Sequence, residues 1–290
     1  MMVLETLVQT ISNALVLGSI YAMVAVGLAL AFGVMQMANF AHGELFMAGA
    51  YVVYVMYSLL GLPFPMAVIA AFPIVAILGL LFERLIFRPT RGNVLAGFMA
   101  TAGAGFILQV LVGQQWGVGL MRSVTVPYKG SVEILGASMS WQRLVIIPAT
   151  VFMVSALWFF LKKVKAGKAL RACAQDPEAA VLQGISINRM TALAMALSAG
   201  FAGVGGALMA PIIPVTPYMG HVYAVTAFIV VIVGGMASIE GAVVAAFILG
   251  FIHTFVSTVA DSVTATMVGV LFMAIVLIVK PTGILGNVKV

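Results

Sequence analysis

Apolar residues in this chain neither alternate nor recur at helical spacing; they run in long unbroken blocks separated by short polar stretches. The first block extends from about Val8 to Phe32, enough to cross a hydrocarbon core that needs roughly 20 residues of helix. Eight more follow: about Leu45 to Leu60, Met66 to Leu81, Val94 to Val112, Leu144 to Leu161, Thr191 to Met209, one ending at Gly234 and Gly235, Ala242 to Val259, and Val263 to Val279. The pattern predicts an all-α polytopic membrane protein with about nine transmembrane helices. Single blocks that are short or re-entrant read the same way, because a broken helix buried in protein has the hydropathy of a full crossing.

Charge gives the layout a direction. Of 290 residues 63% are hydrophobic and only 8% charged, which excludes a soluble enzyme. The net charge of +6 is gathered at block ends, where topology and anionic lipid explain it, so no nucleic-acid site is implied. Glu83, Arg84, Arg88 and Arg91 form one short charged loop, Lys162, Lys163, Lys165, Lys168 and Arg171 another, and Lys280 follows the last block. With nine crossings all three fall on one side, the cytoplasmic one, placing the N-terminus outside and the C-terminus inside. The Gly113–Trp141 loop, anchored by Trp116, Tyr128 and Trp141, and the turn marked by Pro211, Pro214 and Pro217 then lie outside. No Lys or Arg precedes Arg84, so the first block lacks the basic flank of a secretory signal and is expected to be retained.

The one long polar segment, Lys162 to Arg189, carries a helix start at Asp176-Pro177-Glu178: the Asp caps the first turn and Pro is pre-set for its first position. Gly184 supplies a stop. A short helix bearing Ala179, Ala180, Val181 and Leu182 is predicted at the membrane surface. From composition it suits equally a plug for a partner's groove and an amphipathic helix resting on headgroups.

Two breaks interrupt the apolar pattern. Asn39, His42 and Glu44 place three polar side chains between blocks, where ionisable groups are costly unless paired or solvated. His42 and Glu44 are plausible mutual partners; the alternative is a capped helix start with Glu44 near the positive helix end. Met37-Ala-Asn-Phe-Ala-His-Gly43 resembles Met236-Ala-Ser-Ile-Glu-Gly241, and Arg88-Pro89-Thr90 matches Lys280-Pro281-Thr282. These likenesses suggest a parallel repeat, unit one at about 8–92 and unit two at about 220–286, inside a single domain spanning 1–290 with a coupling loop at 162–189. Both breaks are then expected at one membrane depth, lining a path through Asn39, Phe40, His42, Gly43, Glu44, Gly234, Gly235 and Glu240.

Enzymatic and metal-binding motifs are absent. His221 and His253 read as satisfied core residues, the nineteen methionines as packing, and the lone Cys173 as a reduced thiol on a helix surface.

Arg171-Ala-Cys-Ala-Gln-Asp-Pro-Glu-Ala-Ala with Gly184, Asn-Phe-Ala-His-Gly-Glu44 and Pro-Thr-Gly-Ile-Leu-Gly286 resemble the permease subunits of bacterial ABC importers for branched-chain amino acids. The likeness covers nearly the whole chain. It implies an inner-membrane subunit whose coupling loop docks on an ATPase through Arg171, Asp176, Pro177, Glu178, Ala179, Ala180 and Gly184. It implies a paralogous second permease, two cytoplasmic ATPases holding ATP and Mg, a periplasmic binding protein, and no cofactor in this chain. Where that family carries Gly-Gly-Met-Gly-Ser-Ile-Pro-Gly, this chain has Ala237 and Glu240 at the Gly and Pro positions. The departure keeps open a sister importer of urea, short amides or aromatic acids. A stand-alone secondary transporter or channel is the remaining class.

Overall fold

A computed structural model describes residues 2–134 and 136–286; the outermost residues of the expected 1–290 domain, and Leu135, lie outside it. Every apolar block is helical. In chain order the elements are α1 (Met2–Met35), α2 (His42–Val53) continued by a π-helical turn (Tyr54–Leu59), α3 (Phe64–Phe82) continued by a second (Glu83–Phe87), α4 (Val94–Trp116), a hairpin of β1 (Ser131–Ile134) and β2 (Ala137–Ser140), α5 (Trp141–Lys163), α6 (Lys165–Gln175), α7 (Pro177–Leu182), α8 (Ile187–Met209), α9 (Gly220–Gly234), α10 (Ile239–Val259) and α11 (Ser262–Val279). Among the described residues, seven helices are long and apolar enough to cross a membrane: α1, α3, α4, α5, α8, α10 and α11. Of the other two expected crossings, α9 is short, and α2, which runs on through its π-helical turn, opens on the polar His42-Gly-Glu44; each starts inside the bundle. The chain is an all-α polytopic membrane protein in which two of nine apolar blocks are half-helices.

All three basic segments meet at one end of the bundle. Arg91 Nη1 donates to Asn188 Oδ1 across 2.6 Å, joining the loop after α3 to the start of α8. Ile284 and Leu285 donate their amides to the carbonyls of Val233 and Gly234, which seats the segment after Lys280 beside the end of α9. Gly33 in turn faces Ala237 and Ala174. At the other end, Arg143 reaches Asn13, Arg122 pairs with Val215, and Tyr128 meets Phe64 edge-on.

The half-helices begin deep inside. Between α1 and α2 the chain turns back at Gln36 (φ 53°) and climbs along α1 until the His42 ring reaches the Val24 carbonyl, 2.9 Å away. Val24 lies eleven residues before Met35, so the climb covers roughly 16 Å. From there α2 runs alongside α4 away from the basic end: Met37 meets Gly97, Ala41 meets Gly105, Glu44 meets Gln109, and Tyr51 and Tyr54 meet Trp116. α9 does the reverse. The stretch 210–219, expected as an outer turn, carries the buried Ala210, Val215 and Met219 back inward. α9 then starts at Gly220, against Gly43, and heads for the basic end.

The half-helix starts at Gly43 and Gly220 therefore oppose each other at one level, and their neighbours follow suit. α1 packs along α10 and α8 along α3, while α2 lies along α8 and α9 along α1. This is an inverted pairing of α1–α4 with α8–α11, not the parallel pairing expected. Nor do the two breaks share a depth: Ala237 packs at Gly33 and His42 at Val24, nine residues apart on α1, or roughly 13 Å. The sequence likeness between the breaks reflects a shared local need for glycine at close backbone contacts, Gly43 on Gly220 and Gly234 on Gly241.

Packing explains why small residues dominate. A Cβ on Gly49 would strike Gly203, one on Gly206 the Phe46 carbonyl, and one on Gly250 the backbone of Gly18. Close backbone approach of this kind replaces the hydrophobic drive that lipid cannot supply between helices.

Candidate functional site

The stretch Gln36 to Ala41 is irregular backbone at membrane depth, tolerated because it is enclosed by protein. Asn39, 1% exposed, accepts from the Ala41 amide through Oδ1 (3.1 Å) and sets its Nδ2 near the Met195 sulfur (3.9 Å). Phe40 points the other way. Its ring is 40% exposed, stacked on Phe228 of α9 at 4.8 Å and edge-on to Phe98 of α4 at 4.3 Å. A half-helix start thus presents three aromatic rings on an open face between α4 and α9, with Val222 and Val225 exposed along α9.

His42 and Glu44 are not partners. His42 is fully buried; because a carbonyl can only accept, its Nε2 carries the proton donated to Val24, and Nδ1 is left without a partner. Glu44 turns toward α4, where Gln109 Nε2 donates to Oε1 across 2.7 Å, while Oε2 is unpartnered. Gly43 between them is the contact with Gly220. Glu44 and Gln109 thus form a polar seam between α2 and α4, while His42 faces α1. Gln109, missed in the sequence, is the polar residue facing inward from an apolar span.

Gly234, Gly235 and Glu240 stand elsewhere. Gly235 (φ 107°) is pressed against Gly286 and the Thr282 carbonyl, closing the basic end behind α9. Glu240 is exposed in the first turn of α10, after a Ser238 cap that accepts from Gly241. Neither adjoins the Phe40 rings. Ala237 adopts φ 75°, the left-handed region that favours glycine, the residue the resembled pattern carries there.

An open cleft of about 480 Å³ between α3 and α4 is lined by residues such as Leu78, Phe82, Ala104 and Leu108. Its walls are apolar, so it suits hydrocarbon and offers nothing to a charged solute. No group of three His, Cys, Asp or Glu able to hold a metal occurs among the described residues.

At the basic end, α7 is six residues long. Asp176 Oδ1 accepts from the amides of Glu178 and Ala179, each at 3.0 Å, Pro177 takes the first position, and Gly184 (φ 77°) ends the turn. Ala180 faces inward at 3% exposure, whereas Val181 (54%) and Leu182 (86%) project outward with Ala179. Of the four apolar residues expected on this helix, and of the residues expected to dock, Ala180 alone is turned into the chain. An unexpected helix, α6, precedes it. Arg171 Nε donates to the Leu161 carbonyl, folding α6 back on α5, and Cys173, expected on a surface, is 1% exposed with its thiol pKa raised by burial. His221 is exposed rather than core, and His253 lies edge-on to Tyr21.

A membrane domain built from opposed half-helices, with an open aromatic face at their crossing and a capped helix standing free at the basic end, is a transport domain. The chain belongs to the family described as the permease component of the branched-chain amino acid transport system, which it matches over residues 10–280. It is 33% identical, over 97% of its length and 96% of the relative's, to the high-affinity branched-chain amino acid transport system permease protein LivH of Salmonella typhimurium. It is 30% identical over the same shares to the BraD permease protein of Pseudomonas aeruginosa. A segment covering 34% of the chain is 32% identical to the fructose import permease protein FrcC of Rhizobium meliloti. No solved structure matches the chain.

Proposed function

We propose that this chain is the membrane-spanning subunit of an ATP-driven importer in a bacterial inner membrane, forming the path for branched-chain or related amino acids delivered by a periplasmic binding protein. Two cytoplasmic ATPases, carrying ATP and Mg, act through α7, and a second permease completes the membrane domain. The relatives' names supply the substrate class. The observation that carries the mechanism is the face of Ala179, Val181 and Leu182, exposed together on a capped helix at the basic end: a contiguous apolar face outside the membrane-spanning helices suits a partner's groove. Closure of the ATPases would move α6 and α7, and through them the inner ends of α1, α5 and α8, which they touch.

Phe40, Phe98 and Phe228 line the open face on the basic-end side of the Gly43–Gly220 crossing, where an aliphatic side chain loses nothing on leaving water. Glu44 and Gln109 lie behind them. The test is reconstitution with both ATPases, the second permease and the binding protein. ATP-dependent leucine uptake that vanishes without the binding protein is expected; uptake by this chain alone under an ion gradient would overturn the reading.

A further inference from the structure

At the end away from the basic segments, a second polar group stands apart from the Asn39–Glu44 stretch. Tyr51, two turns beyond Glu44 on α2, is 5% exposed, and its hydroxyl has no hydrogen-bond partner. Its ring stacks on Trp116 at the end of α4, centroids 6.1 Å apart, and Tyr54 closes on the same indole edge-on at 5.4 Å. Beyond Trp116 the chain reverses through Gly117 and Gly119, both at positive φ, and brings Arg122 back so that Nη2 donates to the Trp116 carbonyl across 2.8 Å. The Arg122 backbone is clamped by paired bonds with the buried Val215, at 2.9 and 2.8 Å.

Arg122 Nε is buried with no acceptor. No hydrogen bond joins the guanidinium to Tyr51; the two meet at Trp116, whose carbonyl accepts from Arg122 and whose ring stacks on Tyr51. Among the described residues the carboxylate in ion pairs is that of Glu83, at the far end of the bundle. A covered guanidinium N–H and a covered hydroxyl, both unmet, cost free energy that an acceptor would recover.

We propose that Arg122 and Tyr51 form a carboxylate-binding station at the outer mouth of the path, which takes the carboxylate of the transported amino acid. The inference rests on the importer reading given above. A carboxylate accepts from a guanidinium fork and a hydroxyl together, and the Trp116 and Tyr54 rings offer an apolar wall to the side chain. From this station the α2–α4 seam leads inward to Glu44 and Gln109, two turns away. A carboxylate on a docked protein has the same chemistry, but the cover over Tyr51 favours a small solute.

The test uses the full chain in detergent with Trp141→Phe and Trp158→Phe, so that Trp116 alone reports by fluorescence. Isovalerate and 3-methylbutylamine share a branched chain and differ in charge. Isovalerate is expected to change the emission and the amine to leave it unchanged. Arg122→Gln and Tyr51→Phe should each weaken isovalerate by about tenfold, the worth of one charge-assisted hydrogen bond. Equal isovalerate binding by wild type and both variants, or displacement by the amine, overturns the station. Should Arg122→Gln not be recovered folded, Tyr51→Phe removes one oxygen and decides alone. Loss of binding-protein association in Arg122→Gln with isovalerate binding intact also overturns it, in favour of a docked carboxylate. Wild-type importer that takes up no leucine while the chain binds isovalerate would sink the importer reading and leave the station standing.

Discussion

The Thr191 hydroxyl donates to Glu83 Oε1 across 2.9 Å, tying the end of α3 to the first turn of α8. Glu83 is 1% exposed, and Arg88 and Arg91 approach its two oxygens at 3.3 and 3.4 Å, with Arg91 also bonded to Asn188 and Thr191. Since α8 begins directly after the α7 segment, this cluster is the polar joint between α7 and the buried helices.

Replacing Glu83 by Ala leaves two cations and a hydroxyl without their shared acceptor. The expected cost is about 1–3 kcal/mol, less than for a fully buried pair because both guanidinium groups reach solvent. Thermal unfolding of the purified chain measures it. Glu83→Gln, which keeps an acceptor for Thr191, should fall between; an Ala variant as stable as wild type would show the joint to be ornamental.

Gly43 and Gly220 touch backbone to backbone where α2 and α9 start. Gly43→Ala or Gly220→Ala forces the half-helices apart, at about 1–3 kcal/mol or more, and should abolish uptake. Gly103→Ala, where nothing lies within 4 Å of the added carbon, should be silent. Unfolding midpoints of the three variants decide; a tolerated Gly43→Ala would mean the crossing can relax.

Leu182→Glu should leave the chain inserted and folded, because the side chain touches water already, yet abolish co-purification of the ATPases through an unpaired charge in a packed interface. Ala180→Glu tests something else: Ala180 is buried within the chain itself, so a charge there should unfold the loop. Retained ATPase binding and uptake in Leu182→Glu would make α7 a surface helix and nothing more.

Cys173 is covered and its thiol pKa is raised by burial, so labelling it is slow from either side and reports poorly on topology. In a Cys173→Ala background, Leu182→Cys should react with impermeant maleimide only in inside-out vesicles, and Met121→Cys, 73% exposed, only in intact spheroplasts. The opposite pattern inverts the assignment.

Asp261 caps α11 through the amides of Val263 and Thr264 and the Thr264 hydroxyl. Those bonds, first the Thr264 amide, lower its pKa below the ordinary carboxylate value. A depressed folded pKa contributes stability above the unfolded value, near 3.9, and loses it as pH falls through the folded one. Unfolding followed from neutral pH downward should show an acid-labile step that Asp261→Asn removes.

The helices were legible because each block is continuously apolar over most of the roughly 20 residues that a crossing needs, and their bounds differ from expectation by a few residues. What hydropathy could not carry is direction. Nothing in Ala41-His42-Gly43 says that the chain has climbed back to Val24, and nothing in Pro211 to Pro217 says that it turns inward. The partner of Glu44 was equally hidden: Gln109 is one polar residue in an apolar block, and only the fold brings it to α2. Asp176, Pro177 and Gly184 were read from local chemistry and behave locally. The β1–β2 hairpin was missed because its strands are four residues each. Ala237 was noticed only as a departure, and its φ of 75° gives that departure a physical meaning: Ala237→Gly should relieve roughly 1 kcal/mol of backbone strain, read as a raised unfolding midpoint.

The opposed course of α2 and α9 makes α5 a matter of parity. α1–α4 enter and leave at one face, α8–α11 at the other, and the bridge between them is a single crossing with its basic tail from Lys162 to Arg171. An odd bridge lets two like halves sit upside down to each other in one chain. Delete α5, or double it, and the second half would have to insert the wrong way up, with Lys280 on the far side of the bilayer from Arg91.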